Sequence, residues 1–255
     1  MKEEEKYRIL KGKIEALKKK DKSDEDRKTY DEVFDKNTLL TLYKLISSGV
    51  IETLDYPIST GKEGNVFKGT NENGEPLAVK LYRVSTATYK NLTKYIAGDT
   101  RFRNIPRDHR GLVYLWAQKE YKNLKRMFQA GIATPEPIKQ IKNVLVMRYL
   151  GNEQQPAPML KDVTLSNPKK SYKTVLKMMK DLFLEAKLIH GDLSEYNILV
   201  ENGKCFFIDV GQSVVLEHPL AEELLIRDVA NICRYFKKLG VKTEEEGMLS
   251  YIKGE

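Results

Sequence analysis

Several features that would suggest a membrane, secreted or metal-binding protein are missing from this sequence. No stretch approaches the roughly 20 consecutive apolar residues that a transmembrane helix needs, and Met1 to Glu5 contain no apolar signal-peptide core. Only two cysteines occur, Cys205 and Cys233, and their spacing is not that of metal ligands. Two reduced, buried cysteines fit a reducing compartment, so we expect a cytoplasmic protein with no membrane contact.

Acidic residues are outnumbered by basic ones, and much of the excess is local. Lys and Arg number 44 against 36 Asp and Glu, a net charge of +8. Residues 83–110 hold seven of these basic residues and two Asp, a local net charge of +5. Aromatic residues lie between the charges, a composition that suits stacking on RNA bases and contact with phosphates; they are Tyr89, Tyr95 and Phe102. A solvated basic loop is the alternative interpretation.

Hydrophobic periodicity and turn residues predict an α+β protein with helices at its start. Helical spacing predicts an exposed helix within residues 1–30, and Asp35 is placed to cap a second helix that Ser47-Ser48-Gly49 ends. Alternating apolar residues around Gly61 and Gly64 predict a β-hairpin, and Asn73-Gly74 predicts a tight turn before a further strand.

The rest of the chain predicts a second, more helical lobe. A helix from about Leu112 to Gln129 precedes a strand over residues 143–147. The Gly- and Pro-rich residues 151–158 indicate a boundary between lobes. We therefore predict three regions: a helical extension over 1–57, an N-terminal lobe over 58–150 with the basic insertion at about 83–110 and a hinge at its end, and a C-terminal catalytic lobe over 151–255.

The chemistry is concentrated in His190-Gly191-Asp192-Leu193-Ser194-Glu195-Tyr196-Asn197 and in the apolar run that ends at Asp209. A carboxylate, an amide five residues later and a second carboxylate after a strand form the polar set of a kinase-type phosphoryl-transfer site. Asp192 can orient or deprotonate an attacking hydroxyl, and Asn197 and Asp209 offer hard oxygen ligands for Mg²⁺.

Upstream residues complete this pattern in the order that a kinase requires. Gly61 and Gly64 let backbone N–H groups approach phosphate oxygens, and Lys80 offers a positive charge that Glu120 would hold by ion pairing. The strand that ends at Met147 would wall an adenine pocket, and the backbone from Arg148 to Leu150 would bind the base edge.

Three motifs then carry a family resemblance: Ser59-Thr60-Gly61-Lys62-Glu63-Gly64-Asn65-Val66, His190 to Asn197, and Ile208-Asp209-Val210-Gly211-Gln212-Ser213-Val214. With them the chain resembles a RIO-family atypical serine protein kinase of the type-one subgroup, and its compact length is typical of an archaeal member. The resemblance implies a two-lobed protein-kinase-like fold with a trimmed C-terminal lobe.

The same resemblance implies cofactors, partners and residue roles. It implies use of ATP with Mg²⁺, or with Mn²⁺ as the alternative ion, autophosphorylation on serine, and a role in maturation of the small ribosomal subunit. Ser59, Lys62 and Lys80 would contact phosphates, and Asp192 would be catalytic. The expected partners are the small-subunit precursor and its RNA, with no DNA, while the oligomeric state stays open.

Departures from common protein kinases bear on the phosphoryl acceptor. Gly191 stands where those kinases carry the arginine that pairs with an activation-loop phosphate, and no Ala-Pro-Glu follows Asp209, so a peptide-docking platform is missing. These departures favour an ATPase-like switch, with serine, water or Asp209 itself as acceptor. Two other functions stay open from the residues alone: a small-molecule kinase of the aminoglycoside or choline type, and a non-catalytic RNA-binding scaffold.

Overall fold

The computed structural model describes Gly12 and residues 34–61, 64–84 and 92–255. The helix predicted within residues 1–30 lies outside these residues apart from Gly12, and so do Lys62 and Tyr89. The described residues form two compact units. The first comprises residues up to 84, 106–118 and 137–149, and the second comprises residues 92–105, 119–136 and 150–255. The division into regions 1–57, 58–150 and 151–255 stays a prediction.

Unit 1 begins with the capped helix that the sequence predicts. Helix α1 (Lys36–Ser47) is capped by Asp35, whose side chain accepts a hydrogen bond from Thr38 N at 2.7 Å. Such a cap satisfies a backbone donor that has no partner within the helix. The buried face of α1, including Leu42 and Leu45, belongs to the core of this unit.

A five-stranded antiparallel sheet makes up most of unit 1, in the order β1-β2-β3-β5-β4. Phe67, Val79 and Val146 of the central strands are fully buried against α1. This packing of one apolar sheet face on one apolar helix face is what holds the unit together. The strands are β1 (Thr53–Thr60), β2 (Gly64–Thr70), β3 (Pro76–Tyr82), β4 (Pro137–Ile141) and β5 (Val144–Arg148).

Two positions in the β2–β3 hairpin are glycine for different structural reasons. Gly74 has a φ of 79°, and the turn at Asn73-Gly74 joins β2 to β3 as the sequence predicts. At Gly64 a Cβ atom would lie 2.3 Å from Leu81 O, so only glycine lets β2 pair with β3 at this point. Gly64 is therefore required by strand packing, independently of any bound phosphate.

The short helix α2 (Thr93–Ile96) and the long helix α3 (His109–Gln129) follow β3 in the chain. The observed α3 confirms the helix predicted from about Leu112, with one further turn at its start. Its residues up to Gln118 belong to unit 1 and those from Lys119 belong to unit 2.

Unit 2 is mainly helical, with two small antiparallel sheets. Asn202 and Gly203 both have positive φ and form the turn between β7 and β8, and β6 pairs with β9. The regular elements of this unit after α3 are the 3₁₀ turn Leu160–Asp162, α4 (Pro168–Leu184), β6 (Leu188–Ile189), β7 (Ile198–Glu201), β8 (Lys204–Phe207), the 3₁₀ turn Val210–Gln212, β9 (Val214–Val215), α5 (Ala221–Lys238) and α6 (Glu245–Lys253).

The long helices α4 and α5 agree with the more helical second lobe that the sequence predicts, whereas α6 does not stand out in the sequence. Only Met248 and Ile252 of its nine residues are buried, so its apolar pattern is too short to stand out in the sequence. In the part of the chain that the structure describes, no helix has both the length and the apolar character needed to cross a membrane.

Candidate active site

A β-hairpin positions the three polar residues that the sequence singles out for chemistry. Asp192 and Asn197 precede β7, and Asp209 follows β8 after Ile208. The pairing of Ile198 with Phe207 places the start of β7 beside the end of β8, and Ile208 N donates to Asn197 O at 3.1 Å. The hairpin therefore brings residues that lie 12 to 17 positions apart to one end of a small sheet in unit 2.

Asp192 is oriented by two side-chain amides. Its Oδ2 accepts hydrogen bonds from Gln212 Nε2 at 3.2 Å and from Asn197 Nδ2 at 3.4 Å, the second at the limit of a hydrogen bond. Burial raises the pKa of Asp192, and the nearby charge of Asp209 raises it further. A carboxylate with a raised pKa binds a proton more readily, which suits a general base. Gln212 lies within one of the family motifs, but the sequence alone does not predict its contact with Asp192.

Asn197 is fixed by a stronger contact. Its Nδ2 donates to Asp192 O at 2.7 Å, which locks the orientation of the amide. Because the nitrogen end is used within the loop, the oxygen end of Asn197 is the end that can ligate a cation.

Asp209 has an unusual backbone conformation that the surrounding structure maintains. Its φ of 57° and ψ of 55° lie in the left-handed region, which costs a non-glycine residue about 1–3 kcal/mol. Two side chains of α3 hold the carbonyls that come next. Asn123 Nδ2 donates to Val210 O at 2.8 Å and to Ser213 O at 3.0 Å, and Lys119 Nζ donates to Gly211 O at 2.8 Å and also to Ser213 O. These bonds fix the turn after Asp209.

Lys119 pays a desolvation cost for this role, because its side chain is fully buried. Burial lowers the pKa of Lys119 to about 7, and the negative charge of Asp99 opposes this shift. Neither Lys119 nor Asn123 stands out in the sequence as a functional residue. The available signal was weak: two polar residues that lie one helical turn apart on the buried side of α3.

Asp228 on α5 is another residue that the sequence analysis missed. Its Oδ2 accepts from Gly191 N at 2.8 Å and its Oδ1 accepts from Leu193 N at 2.7 Å, so the two bonds flank Asp192. Burial raises the pKa of Asp228 to about 7, while the two N–H donors and Arg227 favour its ionised form. Asp228 acts as a positioning residue, because it holds the backbone on both sides of Asp192.

The structure also explains why residue 191 is a glycine. Its φ is 79°, and a Cβ atom there would lie 2.9 Å from Gln212 O. Arg227 donates from its side chain to Gly191 O. The loop thus needs glycine at position 191 both for its backbone conformation and for space.

His190 is buried beneath the loop. Its Nε2 lies 3.0 Å from Ile208 O, to which a protonated Nε2 donates, and its ring meets Phe207 edge-on at 5.8 Å between centroids. Burial lowers the pKa of His190 to about 4. The ring is therefore neutral in the folded protein at neutral pH.

This depressed pKa predicts a loss of stability in mild acid that depends on His190. The unfolded chain binds a proton at His190 below about pH 6.5, whereas the folded protein does so only near pH 4, so stability falls as the pH drops through this window. At about 1.4 kcal/mol per pKa unit, the contribution is about 3 kcal/mol. Urea unfolding of wild type and His190→Gln, which keeps a donor but does not titrate, should show their stability difference shifting by this amount between pH 7 and pH 4. A pH-independent difference would contradict the prediction.

Unit 1 contains most of the residues predicted to bind nucleotide. Ser59 is exposed on β1, and Gly61 N donates to Gly64 O at 3.0 Å across the hairpin turn. Lys80 lies on β3 with its Nζ 5.1 Å from the ring centroid of Tyr82. Met147 and Arg148 end β5. Their nucleotide-binding roles stay predictions, as does that of Lys62.

The remaining two candidates belong to unit 2. Glu120 is buried on α3 and Leu150 is buried just after β5. The ion pair predicted between Lys80 and Glu120 joins residues of different units and stays a prediction.

Two aromatic residues of the basic insertion are buried, contrary to the hypothesis that they stack on RNA bases. Tyr95 and Phe102 are each only 6% exposed, so they are not available to stack on bases. Arg101 binds the buried Asp99 through two bonds of 2.9 and 2.7 Å, so its charge is already paired. The hypothesis missed this because burial of Asp99 cannot be read from composition. Among its basic residues, Arg103 and Arg107 are exposed.

Comparison with known proteins identifies the family. A family model described as the RIO domain matches residues 65–248, which is most of the chain. The chain is 42% identical over 241 residues to the RIO-type serine/threonine-protein kinase Rio1 of Methanocaldococcus jannaschii, covering 94% of this chain and 82% of that protein. The chain belongs to the RIO family. It is an atypical serine/threonine-protein kinase of the Rio1 subgroup.

Other relatives agree with this membership. The Rio1 kinase of Haloferax volcanii is 39% identical over 223 residues, covering 88% of this chain and 77% of the relative. Among solved structures, the Rio2 kinase–ADP/Mg²⁺–phosphoaspartate complex from Chaetomium thermophilum superposes with a TM-score of 0.65 at 25% identity. The match covers 82% of this chain and 64% of that one, so this RIO kinase spans just under two thirds of that protein's length. The predicted protein-kinase-like fold is confirmed, and membership favours a protein kinase over the two alternatives that the sequence left open.

Proposed function

We propose that this RIO kinase uses ATP and Mg²⁺ for phosphoryl transfer, that Asp209 is a transient phosphoryl acceptor, and that the reaction serves maturation of the small ribosomal subunit. The observation that carries the proposal is the pair of carboxylates in unit 2. Asp192 is oriented by two amides, and Asp209 is close enough for its charge to raise the pKa of Asp192. Two carboxylates held close together repel each other, and a bound cation relieves that repulsion.

The donor set fits Mg²⁺. Asp209 offers a carboxylate and Asn197 offers its amide oxygen, both of them hard ligands of the kind that Mg²⁺ prefers. Among the residues that the structure describes, no cluster of three or more His, Cys, Asp or Glu side chains could hold a metal by itself. A cation at Asn197 and Asp209 would therefore complete its coordination with water and phosphate oxygens, which is usual for Mg²⁺ in kinases. Such an ion supplies positive charge that stabilises charge developing on the phosphoryl oxygens.

Phosphorylation of Asp209 would form one bond to phosphorus and break another. A carboxylate oxygen of Asp209 would form a bond to the γ-phosphorus while the bond from that phosphorus to the ADP oxygen breaks. Hydrolysis of the resulting acyl-phosphate would return the carboxylate and release phosphate. The Rio2 structure that contains ADP, Mg²⁺ and phosphoaspartate supports this proposal by similarity.

The acceptor is tested by the chemistry of the labelled protein. After incubation with γ-labelled ATP and Mg²⁺, we expect label that neutral hydroxylamine removes, because acyl-phosphates react with hydroxylamine and phosphoserine does not. Asp209→Asn should abolish this labile label, while Asp162→Asn, a change at an exposed aspartate of the same unit, should retain it. Label that resists hydroxylamine in the wild type would identify serine as the acceptor and overturn the role of Asp209.

The ribosomal role is tested separately. ATP turnover should rise when small-subunit precursor particles are added, and mature small subunits should raise it less. Turnover that responds to neither particle would count against the maturation role while leaving the phosphoryl-transfer chemistry intact.

A further inference from the structure

Helix α4 presents a row of lysines on the side away from the protein, in which Lys180 is half-buried and the others are exposed. Its buried residues Val175, Met178, Met179 and Leu182 recur at helical spacing and define the inner face. At about 100° per residue, the lysines fall within an arc of roughly 100° centred opposite that face. The members of this α4 lysine row are Lys169, Lys170, Lys173, Lys177 and Lys180.

Little negative charge within the described residues neutralises the row. Lys177 pairs with Asp181 at 2.5 Å, and Lys180 Nζ lies 4.4 Å from the ring centroid of Tyr251. The other three lysines are exposed and form no ion pair with any residue that the structure describes. Asp181 is the one acidic residue in the sequence of α4, and the first turn contains none.

The row is unfavourable for the helix that carries it. Lys169 and Lys170 lie in the first turn, where the helix dipole favours negative charge. Lys173 has a lysine both one turn before it and one turn after it, and like charges at this spacing repel. Both effects oppose the folded state of the protein alone. A bound polyanion would reverse both, because the repelling charges and the positive end of the helix dipole would then face phosphates.

The dimensions and chemistry of the row favour nucleic acid over the other polyanionic surfaces. From Lys169 to Lys180 the row is about 16 Å long at 1.5 Å per residue, which is on the order of five phosphates along one strand at about 3.4 Å each. A membrane-binding helix needs an apolar face free for lipid, and the apolar face of α4 is already buried. Interfaces between proteins are depleted in lysine at their cores.

We propose that the α4 lysine row binds the sugar-phosphate backbone of RNA. The assignment to RNA rests on the proposed role at the small ribosomal subunit, whereas the contact with phosphates rests on α4 alone. The site lies on a different element from Asp192 and Asp209, so it concerns docking of the kinase and not the chemical step. It also gives the protein an RNA contact outside the basic insertion, where Tyr95 and Phe102 are buried.

The test uses the whole protein and a fluorescein-labelled 20-nucleotide uridylate RNA. The variant Lys169→Gln/Lys170→Gln/Lys173→Gln removes the three lysines of the row that have no ion pair within the described part of the chain. With about 0.7 counterions released per phosphate contact on single strands, losing three contacts should reduce the slope of log K against log [KCl] by about 2. Affinity near 0.1 M KCl should fall about 10- to 100-fold. The melting temperature should not fall below that of the wild type, because repulsion is removed.

The matched control removes three positive charges from lysines that lie on three different elements, outside α4. Lys44, Lys139 and Lys204 are exposed on α1, β4 and β8, and their triple change to Gln should weaken binding by less than about threefold, since isolated charges are screened by salt. Equal effects of the two triple variants would overturn the proposal in favour of a net-charge effect. Competition by polyglutamate as strong as by unlabelled RNA of the same charge would also overturn it, in favour of an acidic protein partner.

ATP turnover without RNA separates this inference from the proposed function. Both triple variants should turn over ATP at the wild-type rate, because no lysine of the row belongs to the candidate active site. If the wild type did not turn over ATP but the α4 triple variant still lost RNA affinity, the RNA contact of the α4 lysine row would stand and the proposed phosphoryl transfer would be overturned.

Discussion

Replacing Asp192 with asparagine is expected to lower phosphoryl transfer from ATP by about 10²- to 10⁴-fold, the usual contribution of a general base. The side chain changes little in shape, so the loss reports the missing negative charge. Single-turnover rates and steady-state kcat and KM, measured with saturating Mg²⁺, would separate an effect on the chemical step from an effect on nucleotide binding. We expect kcat to fall and KM for ATP to change little.

Stability should respond in the opposite sense to activity. Burial and the charge of Asp209 both disfavour the ionised Asp192, so a neutral side chain relieves a cost in the folded state. Asp192→Asn should therefore unfold at the same urea concentration as the wild type or at a higher one, as is common when a catalytic group is removed. Turnover within about threefold of the wild type, with Asp162→Asn as the control, would exclude Asp192 as the catalytic base.

Asp228→Ala is expected to have the largest effect on stability, a loss of about 3 kcal/mol or more. The substitution leaves Gly191 N and Leu193 N buried without an acceptor, and each unsatisfied buried donor costs about 1–3 kcal/mol. Release of the desolvated carboxylate offsets part of this cost. Urea unfolding at pH 7.5 measures the change, with Asp162→Ala, an exposed aspartate in the same unit, as the control.

The same substitution should lower activity, because the loop on both sides of Asp192 loses its anchor. A displacement of about 1 Å of a catalytic group can cost about 10²-fold in rate. Asp228→Asn keeps one oxygen acceptor, so it should recover part of both the stability and the rate. If Asp228→Ala were within about 1 kcal/mol of the wild type, the two backbone bonds would not be holding the loop.

The sequence alone was enough to predict which residues lie together when a short motif or a hairpin carries them. The sequence predicts that Asp192, Asn197 and Asp209 lie together, and they do, because a short loop and one hairpin carry them. The capped α1, the hairpin around Gly61 and the turn at Asn73-Gly74 were predicted for the same reason: each depends on local turn and capping chemistry.

The residues that hold this loop were not predicted, because they come from distant parts of the chain. Asp228 reaches Gly191 across 37 positions, and Lys119 reaches Gly211 across 92. Each is a charged residue on a buried helix face, where amphipathic patterns predict apolar ones. Conversely, Tyr95 and Phe102 looked exposed because charged residues surround them, yet both belong to the interior. Burial depends on tertiary packing, which composition does not report.

The conformation of Gly191 has a consequence for how regulation can diverge among kinases. Common protein kinases carry an arginine at this point, which senses phosphate on the activation loop. Here any side chain at position 191 would need both a left-handed backbone and displacement of the Gln212 carbonyl. That carbonyl lies within the turn that α3 fixes through Lys119 and Asn123. A single codon change therefore cannot convert this loop into a phosphate-sensing one, and the two modes of control are separated by a rearranged main chain.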